Sequence, residues 1–179
     1  MQHLVLLSFF LLIVGLVVTA VKLPGGLSKT FSQRVANNKT AEILYALLFI
    51  TVLPILYLFF TTWFVPVKHV TDLFLWFAAI AVIFQIVCTF VPERGGGMTI
   101  VHRVLTGVSG VTLLPMVYIV AITNTLTFEI RLIAWVILGL MVGLFGLALV
   151  NQKGFKYALL LQVGYYALFF AIILLATYV

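Results

Sequence analysis

Residues 70–91 read VTDLFLWFAAIAVIFQIVCTFV, and residues 92–103 read PERGGGMTIVHR. The first segment is almost entirely apolar, and about 20 helical residues are enough to cross a hydrocarbon core of about 30 Å. The second segment interrupts the apolar sequence with a proline, three glycines and several charged side chains. An apolar run of this length followed by such a break predicts a transmembrane helix and its connecting loop.

The composition extends this prediction to the whole chain. Of the 179 residues, 65% are hydrophobic and 8% are charged, and the mean hydropathy is +1.31. Soluble domains carry about 25% charged residues, so the composition predicts an integral membrane protein. The net charge of +6 is explained by basic loops that face the cytoplasm and anionic lipid headgroups. We therefore expect membrane lipids as partners and no binding of nucleic acid.

Six apolar runs are long enough to cross a bilayer. They lie at 4–21, 41–65, 70–91, 104–123, 132–150 and 157–179. The sequence thus predicts an all-α, polytopic bundle of six transmembrane helices in a single domain spanning 1–179, with both termini on the same side. Val18-Thr19-Ala20 weakly resembles a signal-cleavage site, but Met1-Gln2-His3 contains no Lys or Arg, so an uncleaved first helix is favoured.

Basic residues are distributed unevenly over the predicted loops. The second and fourth loops contain only Lys68 and Arg131. The first, third and fifth loops contain Lys22, Lys29, Arg34, Lys39, Arg94, Arg103, Lys153 and Lys156. Because Lys and Arg are enriched in cytoplasmic loops, the first, third and fifth loops are predicted to be cytoplasmic and both termini to lie on the outer side of the cell membrane.

The first loop contains a possible short helix of its own. Leu27, Phe31 and Val35 recur every four residues among polar neighbours. This spacing predicts an amphipathic helix on the inner membrane surface, with a solvated basic loop as the alternative.

The fifth predicted helix carries glycines at a spacing that allows close helix contact. Gly139 and Gly143 form a Gly-x-x-x-Gly motif, and Gly146 follows one turn later. In lipid such residues let helix backbones approach each other closely. We expect this face to pack within the chain, with a protein partner or a homo-oligomer as the alternative.

A few polar side chains fall inside the helices, all in the predicted cytoplasmic half. They are Glu42, Gln85 and Gln162, joined by His102 and Arg103 where the fourth helix begins. Because an unsatisfied polar group in lipid is costly, such residues usually face the bundle interior. They predict a ligand-binding pocket that opens to the cytoplasm. The alternative is that the glutamines join helices by hydrogen bonds, while Glu42 stabilises the N-terminus of its own helix.

Candidate catalytic residues are scarce. Glu93 and His102 form a possible general acid–base pair, with loop capping and ion pairing as the alternative. His3 and His69 are predicted on the side opposite His102, so the sequence predicts no metal site, and we expect no cofactor.

The residues around the third loop also suggest a family. An apolar helix ending in Phe90-Val91-Pro92-Glu93, a glycine-rich turn and His102 at the next helix resembles the prokaryotic membrane-protein family catalogued as domain of unknown function 998. The resemblance implies a six-helix membrane fold and supplies no reaction.

Three classes of function follow from these residues. We expect a lipid-binding or small hydrophobic ligand-binding, transport-like protein first. An accessory or structural subunit of a larger membrane complex comes second, and a membrane enzyme acting on lipid through Glu93 and His102 comes third.

Overall fold

The computed structural model describes residues 1–150 and 156–179. Every regular element in this part of the chain is a helix, and it contains no strand. Seven helices run through this part of the chain. They are α1 (Leu4–Lys22), α2 (Phe31–Val35), α3 (Lys39–Phe59, continued by a π-helical turn at Phe60–Phe64 and by Val65–Lys68), α4 (Leu73–Thr89), α5 (Gly96–Ile122), α6 (Phe128–Val150) and α7 (Ala158–Tyr178).

Five of these helices are long and apolar enough to cross a membrane, namely α1, α3, α5, α6 and α7. The remaining long helix, α4, is apolar but has 17 residues. Many large apolar side chains on the outside of the bundle are exposed, among them Phe10 (63%), Trp76 (71%) and Ile100 (66%). A surface of this kind is suited to lipid, and the fold is that of a multi-pass membrane protein.

The helices pack mainly against their neighbours in the chain, and contacts between α1 and α7 close the bundle. The two termini meet there, since the Gln2 side-chain amide donates to the Thr177 carbonyl at 3.4 Å. At the opposite end α1 finishes, α3 begins, α4 finishes and α5 begins, and the small helix α2 lies there. We call this the α2 end of the bundle.

The glycine-rich stretch after α4 is shorter than the sequence suggested. The fourth apolar helix, expected to start at residue 104, begins at Gly96, directly after the left-handed Gly95 (φ 105°). The Thr99 hydroxyl accepts a hydrogen bond from the Gly95 amide at 2.8 Å and so satisfies a backbone donor at the helix start. His102 and Arg103 are therefore helical residues rather than loop residues.

An aromatic cluster fills the bundle at the end opposite α2. Phe59, Phe60, Phe64 and Phe74 are each at most 1% exposed, and the Phe60 and Phe74 rings meet edge-to-face with centroids 5.1 Å apart. The π-helical turn carries two of these rings. It lies just before Pro66, which has no backbone N–H to donate, so the regular hydrogen-bond pattern cannot continue through this turn.

Helix α2 differs from the expected amphipathic surface helix. It contains five residues, and Leu27 lies outside it and is 46% exposed. Phe31 and Val35 are buried as predicted for an apolar face, but Arg34 is also buried, at 8% exposure. A short helix is thus present in the first loop as predicted, but it does not reach Leu27, and both of its faces find partners in the bundle.

Candidate functional site

Helix α2 closes the bundle at its own end, and its start is fixed by the sequence Thr30-Phe-Ser-Gln33. The Thr30 hydroxyl accepts from the Gln33 amide, while the Gln33 side-chain oxygen accepts from the Thr30 amide at 3.1 Å. This reciprocal capping box satisfies two backbone donors that a five-residue helix would otherwise leave free. The helix N-terminus is also held by Gln162 on α7, whose side-chain oxygen accepts from the Phe31 amide at 3.2 Å.

Glu93 binds α2 to the start of α5. Its carboxylate accepts from the Ser32 hydroxyl at 3.2 Å, from the Gln33 side-chain amide at 3.0 Å and from Arg103 Nε at 3.1 Å. The Glu93 side chain is 6% exposed. A buried carboxylate is stabilised by several donors of this kind, so Glu93 is a structural anchor for α2.

Arg34 organises the loop between α1 and α2. Its guanidinium donates to the carbonyls of Ala20 and Leu23, each at 2.9 Å, and to those of Gly26 and Lys29. The Ala20 carbonyl belongs to the last turn of α1, where a cation is favoured by the helix dipole. The Arg34 guanidinium thus supplies these carbonyls with the hydrogen-bond donors that water would otherwise provide.

A cavity of about 60 Å³ lies between the helices, beneath α2. It reaches from Phe31 at the α2 end to Phe60 in the aromatic cluster, and apolar side chains form most of its wall. Its polar lining residues are Tyr45, Gln85, Ser109, Gln162 and Tyr166. One water needs roughly 10–15 Å³ of such space, so the cavity has room for a few waters or for a slender apolar group.

Gln85 is 9% exposed, and its side chain has a buried oxygen that lacks a hydrogen-bond donor within the described residues. By contrast, the Ser109 hydroxyl donates to the Ala81 carbonyl at 3.0 Å. A buried amide oxygen without a donor costs about 1–3 kcal/mol, so a bound group that donates to Gln85 would recover free energy.

His102 lies in a second cluster, at the junction of α4 and α5. It is 6% exposed and its Nδ1 donates to the Val91 carbonyl. The Cys88 sulfur lies 3.4 Å from Nδ1 and 3.6 Å from Nε2, and 3.0 Å from the Thr106 hydroxyl. Nδ1 already donates to Val91, so only Nε2 could accept a proton, and a sulfur almost equidistant from the two nitrogens is not in line with the Nε2 lone pair, as proton transfer from a nucleophilic thiol needs.

The structure brings together only some of the candidate site residues that the sequence predicts. Gln85 and Gln162 line the same cavity, whereas Glu42, His102 and Arg103 are not part of its lining. Glu42 forms an ion pair with Arg94, with 2.5 Å between Oε2 and Nη2. Glu93 and His102 each have other partners, and within the described part of the chain no hydrogen bond joins their side chains.

The glycines of α6 face outward. A Cβ atom placed on Gly139, Gly143 or Gly146 would meet no atom within 4 Å of the described chain. The expectation that they pack within the chain is therefore wrong for the residues described. The close approach occurs instead at Gly15 of α1, where a Cβ would lie 2.4 Å from the end of the Leu48 side chain on α3.

Several residues of the site were not singled out in the sequence. The Thr30-x-x-Gln33 capping pattern was readable, and it marks the start of α2. Tyr45 and Tyr166 are polar aromatic residues within apolar runs, but their side chains reach the cavity only because of how α3 and α7 pack. Arg34 carries no local signal of burial, since its acceptors are backbone carbonyls.

No protein-family model matches this chain, and neither a curated protein nor a solved structure gives a significant match. The resemblance to the family of domain of unknown function 998 stays a prediction.

Proposed function

We propose that the chain crosses the cell membrane six times, with the α2 end in the cytoplasm and both termini outside. Helix α4 is the short span, about 26 Å long at 1.5 Å per residue, against a hydrocarbon core of about 30 Å. The excess of Lys and Arg in the loops of the α2 end supports this orientation. Lys153, one of the residues counted there, lies outside the described residues.

We propose that the protein binds a slender amphiphile in the cavity beneath α2. The unpartnered oxygen of Gln85 carries this proposal, because Gln85 lines a mostly apolar cavity and its buried acceptor has no donor among the described residues. The matching ligand has a single hydrocarbon or isoprenoid chain and one O–H or N–H donor. Drug-sized ligands need about 300–1,000 Å³, so a cavity of about 60 Å³ suits only a narrow group unless it expands.

Helix α2 supplies the entrance in this proposal. Phe31 lines the cavity, and polar contacts with Glu93, Gln162 and the backbone of the first loop hold α2 in place. These contacts lie at the end that we assign to the cytoplasm, where water can replace them when α2 moves. Displacement of α2 would open the cavity toward the cytoplasm without separating the long helices.

The experiment compares hexadecanol with hexadecane, two chains of equal length of which only the alcohol donates a hydrogen bond. Binding is measured on protein purified in mild detergent. We expect Gln85→Leu to weaken hexadecanol binding about tenfold and to leave hexadecane binding unchanged, because loss of one buried hydrogen bond costs about 1–3 kcal/mol. Gln2→Leu, the same exchange at the opposite end, is the matched control. Equal binding of the alcohol by the wild type and Gln85→Leu would contradict the proposal.

The second candidate function is that of an accessory subunit in a larger membrane complex. The exposed glycine face of α6 favours it, because small residues that meet no other helix among the described residues leave a backbone surface open to a partner helix. Recovery of a stable monomer from membranes after chemical cross-linking would count against this role.

A further inference from the structure

A second cavity lies on the outside of the bundle, between α1 and α3. Its volume is about 630 Å³, and it forms a groove that includes Leu11 and Gly15 on α1 and Leu44 and Leu48 on α3. The close contact of Gly15 with Leu48 holds the two helices together at the floor of this groove. We call it the α1/α3 groove.

The polar residues of the groove are concentrated at the α2 end. Lys22, Asn38 and Thr40 line that end and are exposed. Neither of the ion pairs among the described residues, Arg94–Glu42 and Arg103–Glu93, involves Lys22. Asn38 caps α3 through its side-chain oxygen, which accepts from the Ala41 amide at 3.0 Å and leaves its NH₂ group available as a donor.

The length of the groove corresponds to one leaflet of a bilayer. Leu11 and Lys22 are the most distant lining residues on α1, and at 1.5 Å per residue they are about 16 Å apart. Half of a hydrocarbon core of about 30 Å is about 15 Å. An acyl chain lying in the groove would therefore place its headgroup at Lys22.

We propose that the α1/α3 groove binds an anionic glycerophospholipid, with one acyl chain along the apolar wall and the headgroup phosphate at Lys22, Asn38 and Thr40. The unpaired charge of Lys22 selects an anionic headgroup, and basic pockets between membrane helices on the cytoplasmic side are known to bind such headgroups. This site is separate from the cavity beneath α2 and does not depend on a ligand there.

The test counts bound lipid by native mass spectrometry of detergent-purified protein. Dioleoyl phosphatidylglycerol and dioleoyl phosphatidylcholine are titrated separately. We expect the anionic lipid to bind more tightly, and Lys22→Gln to weaken its binding about fivefold while binding of the zwitterionic lipid stays unchanged. Lys22→Arg should retain anionic-lipid binding, which shows that the effect is one of charge rather than folding.

Three further measurements complete the test. Lys29→Gln removes the same charge from the same loop but outside the groove, and we expect it to bind the anionic lipid as the wild type does. Leu44→Trp, at an exposed wall position, should weaken binding of both lipids by partly filling the groove. Gln85→Leu should leave lipid binding intact, which separates this site from the cavity beneath α2.

Three results would overturn the proposal. The first is equal affinity of the wild type for the two lipids. The second is a loss in Lys29→Gln as large as that in Lys22→Gln, which would indicate a diffuse surface charge. The third is displacement of the lipid by an equal concentration of inorganic phosphate, which would indicate a site for free anions.

Discussion

Arg34 is a buried cation whose acceptors in the described part of the chain are backbone carbonyls, among them those of Ala20 and Leu23. Removing the Arg34 side chain leaves several partly buried carbonyl oxygens without a hydrogen-bond donor. We predict that Arg34→Ala lowers the free energy of unfolding by roughly 2–4 kcal/mol, since each unsatisfied buried group costs about 1–3 kcal/mol. Thermal unfolding in detergent measures the change.

Lys29→Ala is the matched control for Arg34, because Lys29 is an exposed cation of the same loop. We expect its effect to stay within about 0.5 kcal/mol, as for most surface substitutions. An equal fall in the free energy of unfolding in the two variants would show that the stability of the loop depends on its net charge and not on the contacts between Arg34 and the carbonyls.

At the scale of one element, α2 depends on side chains from distant parts of the chain. Five residues are too few for a stable isolated helix, so Glu93 and Gln162 must hold it. We predict that Glu93→Ala speeds hydrogen exchange of the 31–35 amides about tenfold or more, because two hydrogen bonds to α2 are lost. Exchange is followed by mass spectrometry of peptides covering 27–38.

Glu42→Ala serves as the control for this exchange experiment. It removes the carboxylate of the other ion pair, whose partner Arg94 contacts α2 at its C-cap, where Nε donates to the Ala36 carbonyl at 2.8 Å and not to a side chain of α2. We expect exchange in 31–35 to change less than threefold, a difference of about 0.7 kcal/mol. An unchanged exchange rate of these amides in Glu93→Ala would show that Glu93 does not hold α2 against the bundle.

The glycines of α1 and α6 differ in their surroundings. We predict that Gly15→Leu destabilises the protein by about 1–3 kcal/mol, because the added atoms collide with Leu48 and force α1 from α3. Gly139→Leu, at a position with open space, should be tolerated. Thermal unfolding in detergent compares the two.

The same Gly139→Leu variant also tests the partner surface predicted from the sequence. A fall in cross-linked dimer, with unfolding of the monomer unchanged, is expected if α6 contacts a second copy in the membrane. An unchanged dimer fraction would exclude Gly139 from such a contact.

At the scale of the whole molecule, the orientation of the bundle has a direct test. We predict that a membrane-impermeant maleimide added to intact cells labels Asp72→Cys, at the end opposite α2, and not Lys29→Cys. Both positions are exposed, and the native Cys88 is buried at 2% exposure and contributes little background. Labelling of Lys29→Cys alone would invert the assignment.

The sequence carries more information about the helices than about the site. Long apolar runs locate the helices because lipid demands backbone hydrogen bonds within each segment. The predicted start of α5 at residue 104 is wrong because the glycine run suggests a loop, whereas Gly96 and its neighbours form the first helical turn. The shared cavity of Gln85 and Gln162 depends on how α4 and α7 pack, and the α2 partners of Glu93, Ser32 and Gln33, lie about 60 positions away in the chain. Such contacts leave no local pattern.

Tyr45 lines both the α1/α3 groove and the cavity beneath α2. A path past this shared residue would let a ligand arrive sideways from the leaflet instead of through water. Occupancy would follow the mole fraction of the ligand in the membrane, not its aqueous concentration. Affinity for such a compound is properly expressed in mole per cent of lipid, and dilution of the aqueous phase alone would leave it bound.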